Sequence, residues 1–312
     1  MRFAIVGAGV MGGLVGAILT KAGAEVWLVN RNEAITNTIR TRGLTITHQG
    51  QTEAVPVQAV LSPNEIKQPV DVLIFLVKGC DTAAAAIAAQ SLATPQTYVM
   101  TLQNGLGNVE LLAQFFDPAN ILYGILELAG RMLEPGHILS LAGANSKICF
   151  GPATKIIEPG HETIAAYFGK SDINVFLRED IDSEVWIKLR NNSTNVLFGL
   201  LRLSIGQALE TEGTAVLIQK IRSEVMAVAQ AKGIHFPPEA LGTNQGNTPI
   251  YPELYEHLPS TALDMKLKKP TEVEFINGAI YREGLRLGVP TPYNELLYRM
   301  VKIYETTYSK QF

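Results

Sequence analysis

The chain lacks several things, and each lack excludes a class of protein. It has only two cysteines, Cys80 and Cys149, with neither CxxC spacing nor metal-ligand partners nearby. A disulfide framework is therefore excluded, and both thiols are expected to be buried small residues in a reducing compartment. The five histidines, His48, His137, His161, His235 and His257, are scattered without ligand spacing, so no metal is expected. Charged residues make up only 18 %, the net charge is −3, and no dense Lys/Arg block occurs. Nucleic-acid binding has no electrostatic footprint here. No apolar run reaches about 18 residues, the length that a membrane-crossing helix needs. No stretch ahead of the first strand-like run reads as a signal or transit peptide, so a cytoplasmic protein is expected. What remains is a core-forming composition, 47 % hydrophobic, in 312 residues, a length that suits two domains.

The first thirty-one residues carry the strongest pattern. An apolar run ends at Val6. It is followed by Gly7, Ala8, Gly9, Val10, Met11 and Gly12, then by a helix-like run to Gly23 and a second strand-like run from Glu25 to Val29. Strand, glycine turn, helix, strand is the mononucleotide-binding half of a doubly wound sheet. Gly7 suits a sharp turn, Gly9 leaves room for a pyrophosphate, and Gly12 lets the helix pack close to the sheet. The helix N-terminus then faces the phosphates. Where an NAD site usually carries an acid, this chain has Asn30 and Arg31. Arg31 can pair with a 2′-phosphate, which favours NADP.

Further strands are expected at 71–77 and 98–102, ending beside Lys78 and Asn104, which places both at the cofactor edge of the sheet. A hairpin is expected over 44–48 and 53–57, and short strands near 121–126, 137–141, 147–151 and 174–177. Beyond about residue 180 the periodicity is almost purely helical. The expected fold is α/β, a Rossmann-type doubly wound sheet over residues 1–179 followed by an all-helical domain over 180–312. One helix is expected from Ser183 to Arg202, others near 211–232, 259–286 and 292–307, and a loop rich in Pro, Gly and Asn at 236–252.

Lys188, Asn192 and Asn195 are spaced i, i+4, i+7, which puts them on one helical face. Asparagine is a poor helix former, and a lysine beside amides suits a carboxylate or a carbonyl. A second polar cluster runs from Ser260 to Gly278. In it Thr271 is expected to cap a helix whose first turn holds Glu272 and Glu274.

These segments resemble the ketopantoate reductase family: the glycine turn, Arg31, the run Leu76 to Lys78, the run Gln103 to Gly105, the run Trp186 to Leu189, and the run Pro270 to Gly278. The resemblance implies NADPH-dependent reduction of 2-dehydropantoate, or of a related 2-oxo acid, with substrate in a cleft between the two domains. It gives Lys188 the place of the general acid and Glu272 that of its carboxylate partner. It also puts Lys78, Asn104 and Glu272 among the cofactor contacts, Asn104 among the substrate contacts too, and Ser260 on the substrate carboxylate. The family's paired asparagines fall either on Asn192 and Asn195 or, with a one-residue deletion, on Asn191 and Asn195. The stretch Gly124 to Ala129 is more apolar and acidic than the threonine-rich run that the resemblance implies on the substrate side. Other readings stay open: an opine-type reductase, or a non-catalytic NADP sensor that has no use for Lys188 with Glu272. A small 2-oxo acid is the expected partner, with a homodimer as a candidate assembly.

Overall fold

The computed structural model describes residues 1–237, 255, 256 and 258–310. The loop expected at 236–252 lies mostly outside these residues, and His257 lies outside them too. The described chain divides into two compact units, Met1–Gln103 with Asn108–Ile181, and Asn104–Gly107 with Asp182 onward.

The first unit is built on an eight-stranded sheet. Its central strands are β1 (Arg2–Val6), β2 (Glu25–Val29), β6 (Val72–Phe75) and β7 (Tyr98–Thr101). With β5 (Gln58–Val60), β8 (Ile121–Glu127), β11 (Lys147–Pro152) and β12 (Asn174–Leu177), the spatial order is β12-β11-β8-β7-β6-β1-β2-β5. Only the β8–β11 pairing is antiparallel. Side chains alternate between two cores, as the pleat requires. Phe3, Ile5, Val72 and Ile74 face α1 (Val10–Lys21) and α5 (Pro159–Phe168). Ala4, Val6, Leu73 and Phe75 face α3 (Thr82–Ala89) and α4 (Asn108–Leu112). Burial on both faces explains why these strands read as unbroken apolar runs. A smaller sheet packs β4 (Gln51–Val55), β3 (Leu44–His48), β10 (His137–Ser140) and β9 (Gly130–Glu134) in that order. Its β3–β4 hairpin turns at Gln49 and Gly50, both at positive φ, so β4 begins two residues before the expected Glu53. Between β2 and β3 runs α2 (Glu33–Arg42). Cys149 is buried as expected, whereas Cys80 is exposed, because it sits in a 3-10 turn after β6 rather than in the core.

The second unit is helical among its described residues: α6 (Asp182–Asn192), α7 (Asn195–Leu201), α8 (Ile205–Glu210), α9 (Thr214–Ala231), α10 (Ser260–Lys266), α11 (Asn277–Leu287) and α12 (Pro292–Thr306). Two expected helices are broken. The one expected from Ser183 to Arg202 stops at Asn192 and restarts at Asn195. At the break the hydroxyls of Ser193 and Thr194 donate to the carbonyls of Arg190 and Asn191. The Ser193 carbonyl accepts from Asn277 Nδ2 at 2.9 Å, and the Leu197 N–H bonds Thr194 instead. Side-chain hydroxyls that compete for backbone partners are a known cause of such interruptions. The helix expected over 259–286 is likewise two helices, α10 and α11, separated by residues 267–276, with a turn from Val273 to Ile276 directly before α11.

Candidate functional site

In the first unit the glycine turn follows β1 directly. Gly7 has φ +102°, and a side chain there would collide with the backbone of Leu76 and Val77. Gly12 packs so close to the Gly7 carbonyl that no Cβ fits. Gly9 faces open space and is the N-cap of α1, with no side chain capping the helix. The first-turn N–H groups, which no intrahelical carbonyl can satisfy, therefore meet a side-chain-free approach. A crevice of about 670 Å³ opens here, walled by the glycine turn, Asn30, Arg31, Leu61 to Pro63, Val77 and Asp81. Its residues fit the phosphate and adenosine parts of a dinucleotide.

Asn30 does not stand free at the strand end. Its Nδ2 donates to the Ala8 carbonyl at 2.6 Å and its Oδ1 accepts from the Asn32 N–H at 2.9 Å. It braces the turn. Arg31 is exposed and donates to Asp81 Oδ2 at 2.9 Å. Lys78 is half-buried at the start of the 3-10 turn that ends at Asp81, where its carbonyl accepts the Asp81 N–H.

The second unit gathers the other site residues. Asn195 Nδ2 donates to Asn192 Oδ1 at 3.4 Å, and Asn192 Nδ2 donates to Asn104 Oδ1 at 3.4 Å. Asn104 Nδ2 then donates to Glu272 Oε2 at 3.1 Å. Three amides thus point their donors one way, toward a carboxylate. Lys188, half-buried, lies one helical turn before Asn192 on the same face of α6. The helix break brings Asn195 to Asn192 without a continuous helix between them. Asn191 is exposed, so Asn192 is the residue that reaches Asn104. Ser260 is the exposed first residue of α10, apart from the hydrogen-bonded chain.

Glu272 stands in a turn, not in the first turn of a helix. Its carbonyl accepts from the Phe275 and Ile276 N–H groups, while the Phe275 carbonyl accepts from Leu106 at 2.8 Å. Gly105, at φ +85°, presses so closely on Phe275 that no side chain fits. That approach takes the Phe275 carbonyl out of helical register and delays α11 to Asn277. Thr271 caps nothing helical. Its N–H and hydroxyl both donate to Glu305 Oε1 at 2.7 Å, which ties the segment to α12. The buried Asn277 continues inward. It donates to Asn294 Oδ1 at 3.0 Å, and Asn294 donates to Glu224 Oε2 at 2.7 Å. Glu224 accepts the N–H groups of Tyr293 and Asn294 at the start of α12, where a carboxylate is favoured.

The stretch 124–129 is explained by packing. Gly124, Ile125 and Leu126 are buried in β8, and Glu127 pairs with Lys147 at 3.9 Å on the surface. Sequence reasoning missed Asp81, Asn30 as a brace, and the network from Asn277 to Glu224. Of these only Asp81 had a signal, as an acid close behind Lys78 in the loop after a central strand. Among the described residues no group of three or more His, Cys, Asp or Glu could hold a metal ion, and no helix is long and apolar enough to cross a membrane.

The chain matches the profile of ketopantoate reductase PanE/ApbA over residues 3–155 and that of its C-terminal part over residues 180–305. It is 30 % identical over 311 residues to the 2-dehydropantoate 2-reductase of Aquifex aeolicus, covering 98 % of this chain and 97 % of the relative. Among solved structures, D-mandelate dehydrogenase in ternary complex with NADH and anilino(oxo)acetate superposes with a TM-score of 0.89 at 27 % identity, covering 98 % and 99 % of the two chains. The ketopantoate reductase of Ralstonia eutropha superposes with a TM-score of 0.87 at 28 % identity, with the same coverage. A glycine turn opening α1 on a doubly wound sheet, followed by a helical unit, defines a pyridine-nucleotide oxidoreductase. Within that class the chain belongs to the ketopantoate reductase family.

Proposed function

We propose that the protein reduces a 2-oxo acid to a 2-hydroxy acid at the expense of NADPH, with 2-dehydropantoate as substrate and pantoate as product. The observation that carries this reading is the hydrogen-bonded run from Asn195 through Asn192 and Asn104 to Glu272, on the face of α6 that also bears Lys188. Reduced nicotinamide, when bound, supplies the hydride to the ketone carbon. The ketone oxygen gains negative charge in that step, and Lys188 holds a positive charge or a proton for it. Glu272, fixed by Asn104, accepts a hydrogen bond from the lysine or from the nascent hydroxyl. The amides of Asn192 and Asn195, with Ser260, hold the substrate carboxylate end. In the first unit Gly7, Ala8, Gly9, Val10, Met11 and Gly12 cradle the pyrophosphate, Lys78 lines the cofactor edge, and Arg31 takes the 2′-phosphate. Support for NADPH over NADH is the use of Asn30 as a brace, which leaves Arg31 as the side chain presented at the end of β2.

A second substrate reading is an aromatic 2-oxo acid. It is favoured by the superposition on D-mandelate dehydrogenase, whose complex contains anilino(oxo)acetate. One experiment separates the two readings: NADPH oxidation, followed by absorbance, with 2-dehydropantoate, phenylglyoxylate and straight-chain 2-oxo acids. The highest kcat/KM is expected for 2-dehydropantoate, and a higher value for phenylglyoxylate replaces it with the aromatic reading. The proposed assembly is a homodimer, supported by exposed apolar residues Leu296, Met300 and Ile303 at helical spacing along α12. Sedimentation should give twice the chain mass.

A further inference from the structure

Arg31 is already engaged in the structure. Its guanidinium donates to Asp81 Oδ2 at 2.9 Å, and both residues line the crevice that the glycine turn also walls. Asp81 comes from a different part of the sheet, the connection after β6, where a 3-10 turn runs straight into α3. It occupies the N-cap position of α3, where an aspartate ordinarily accepts a hydrogen bond from the first turn. No such bond forms here. The carboxylate reaches over the crevice to Arg31 instead. Side-chain exposures of 79 % for Arg31 and 41 % for Asp81 make the pair weak and easily opened.

We propose that Asp81 sets the cofactor discrimination of this crevice by competing with a ribose 2′-phosphate for Arg31, an inference that rests on the reading of Arg31 as the phosphate partner. A 2′-phosphate entering the crevice competes with Asp81 for the Arg31 guanidinium, and it lies near a like-charged carboxylate. Both effects act against NADPH. With a 2′-hydroxyl in the same place Arg31 stays paired, and the carboxylate is an acceptor for the hydroxyl. In an NAD site the acid that takes the ribose hydroxyls stands at the end of the second strand. Here Asn30 occupies that end as a brace, and an acid arrives from the next crossover, where it restrains the arginine. The result is a crevice that accepts both cofactors with a moderated preference for the phosphorylated one.

The test is equilibrium binding to the full chain. NADPH and NADH are followed by nicotinamide fluorescence, and adenosine 2′,5′-bisphosphate and AMP by calorimetry. Asp81→Asn should tighten NADPH and the bisphosphate by about two- to fivefold, the range of a weak exposed ion pair, with no such gain for NADH and AMP. Asp81→Ser, which removes the charge and keeps an N-cap residue, should shift the same ratio. Arg31→Ala should weaken NADPH far more than NADH. If that selective loss appears while both Asp81 variants keep the wild-type NADPH-to-NADH ratio, the proposal fails and the Arg31 reading survives. Equal losses of both cofactors in Arg31→Ala overturn the Arg31 reading, and the proposal with it.

Discussion

At the residue scale, chemistry and stability fall on different side chains. Lys188 and Glu272 act as a unit in the proposed step, since the carboxylate is held by Asn104 and the lysine shares a face with Asn192. Removing a general acid typically lowers the rate about 10²- to 10⁴-fold, so Lys188→Ala should lose turnover of that order while far-UV circular dichroism is unchanged. Glu272→Ala should also lose activity, and the double variant should lose less than the product of the two single losses. Multiplicative losses would show two independent groups. His161 illustrates the other kind of residue. It is buried, its Nδ1 accepts the Glu158 N–H at 3.0 Å, and its ring meets Tyr98 edge-on. Burial pushes its pKa below the usual 6.5, with Glu158 opposing the shift. The folded chain thus prefers the neutral ring, while the unfolded chain takes up a proton near 6.5. The stability from the neutral ring is whole above that pH and is lost as pH falls toward the lowered folded value. Urea midpoints should therefore fall between about pH 7 and 5, and His161→Asn, whose Oδ1 can accept the same N–H, should flatten that slope. An unchanged slope would put the acid sensitivity elsewhere.

At the element scale, the break between α6 and α7 is what the periodicity concealed. The spacing of Lys188, Asn192 and Asn195 suits one face of one helix, and the structure gathers the two asparagines although the helix stops between them. The local part of the stop lies in the Ser193 and Thr194 hydroxyls, but a second part is distant. The Ser193 carbonyl is drawn to Asn277, which no local pattern announces. The glycine turn, by contrast, was legible in full, because its constraints are local: sharp turning at Gly7, clearance at Gly9, close packing at Gly12. Glu272 is singled out as a site candidate only by the family resemblance. Its turn depends on Gly105 meeting Phe275, an approach between segments far apart in sequence. Asn277→Ala should leave the Ser193 carbonyl and Asn294 Oδ1 short of a donor, at a cost of about 2–4 kcal/mol from two unsatisfied buried groups. Denaturant unfolding measures that loss. If the break positions the amides, the KM for the oxo acid should rise in the same variant while NADPH affinity holds.

At the scale of the whole molecule, the covalent order of the chain and its compact units disagree at one place. Gln103 is anchored in the first unit, with its Nε2 donating to the Val77 carbonyl and the Thr82 hydroxyl at 2.8 Å. Asn104 to Gly107 then packs with the second unit, and Asn108 returns to the first. The consequence concerns recombination between relatives. A chimera joined only at Ile181 would leave Gly105 and Asn104 facing another protein's equivalents of Phe275 and Glu272. The second unit is thus encoded as two pieces, a four-residue insert and a long tail, that pack together. Swapping residues 182–312 alone into a relative near 30 % identity should lower the melting temperature. Moving 104–107 along with the tail should recover much of that loss. Equal melting temperatures for the two chimeras would show that the insert travels freely.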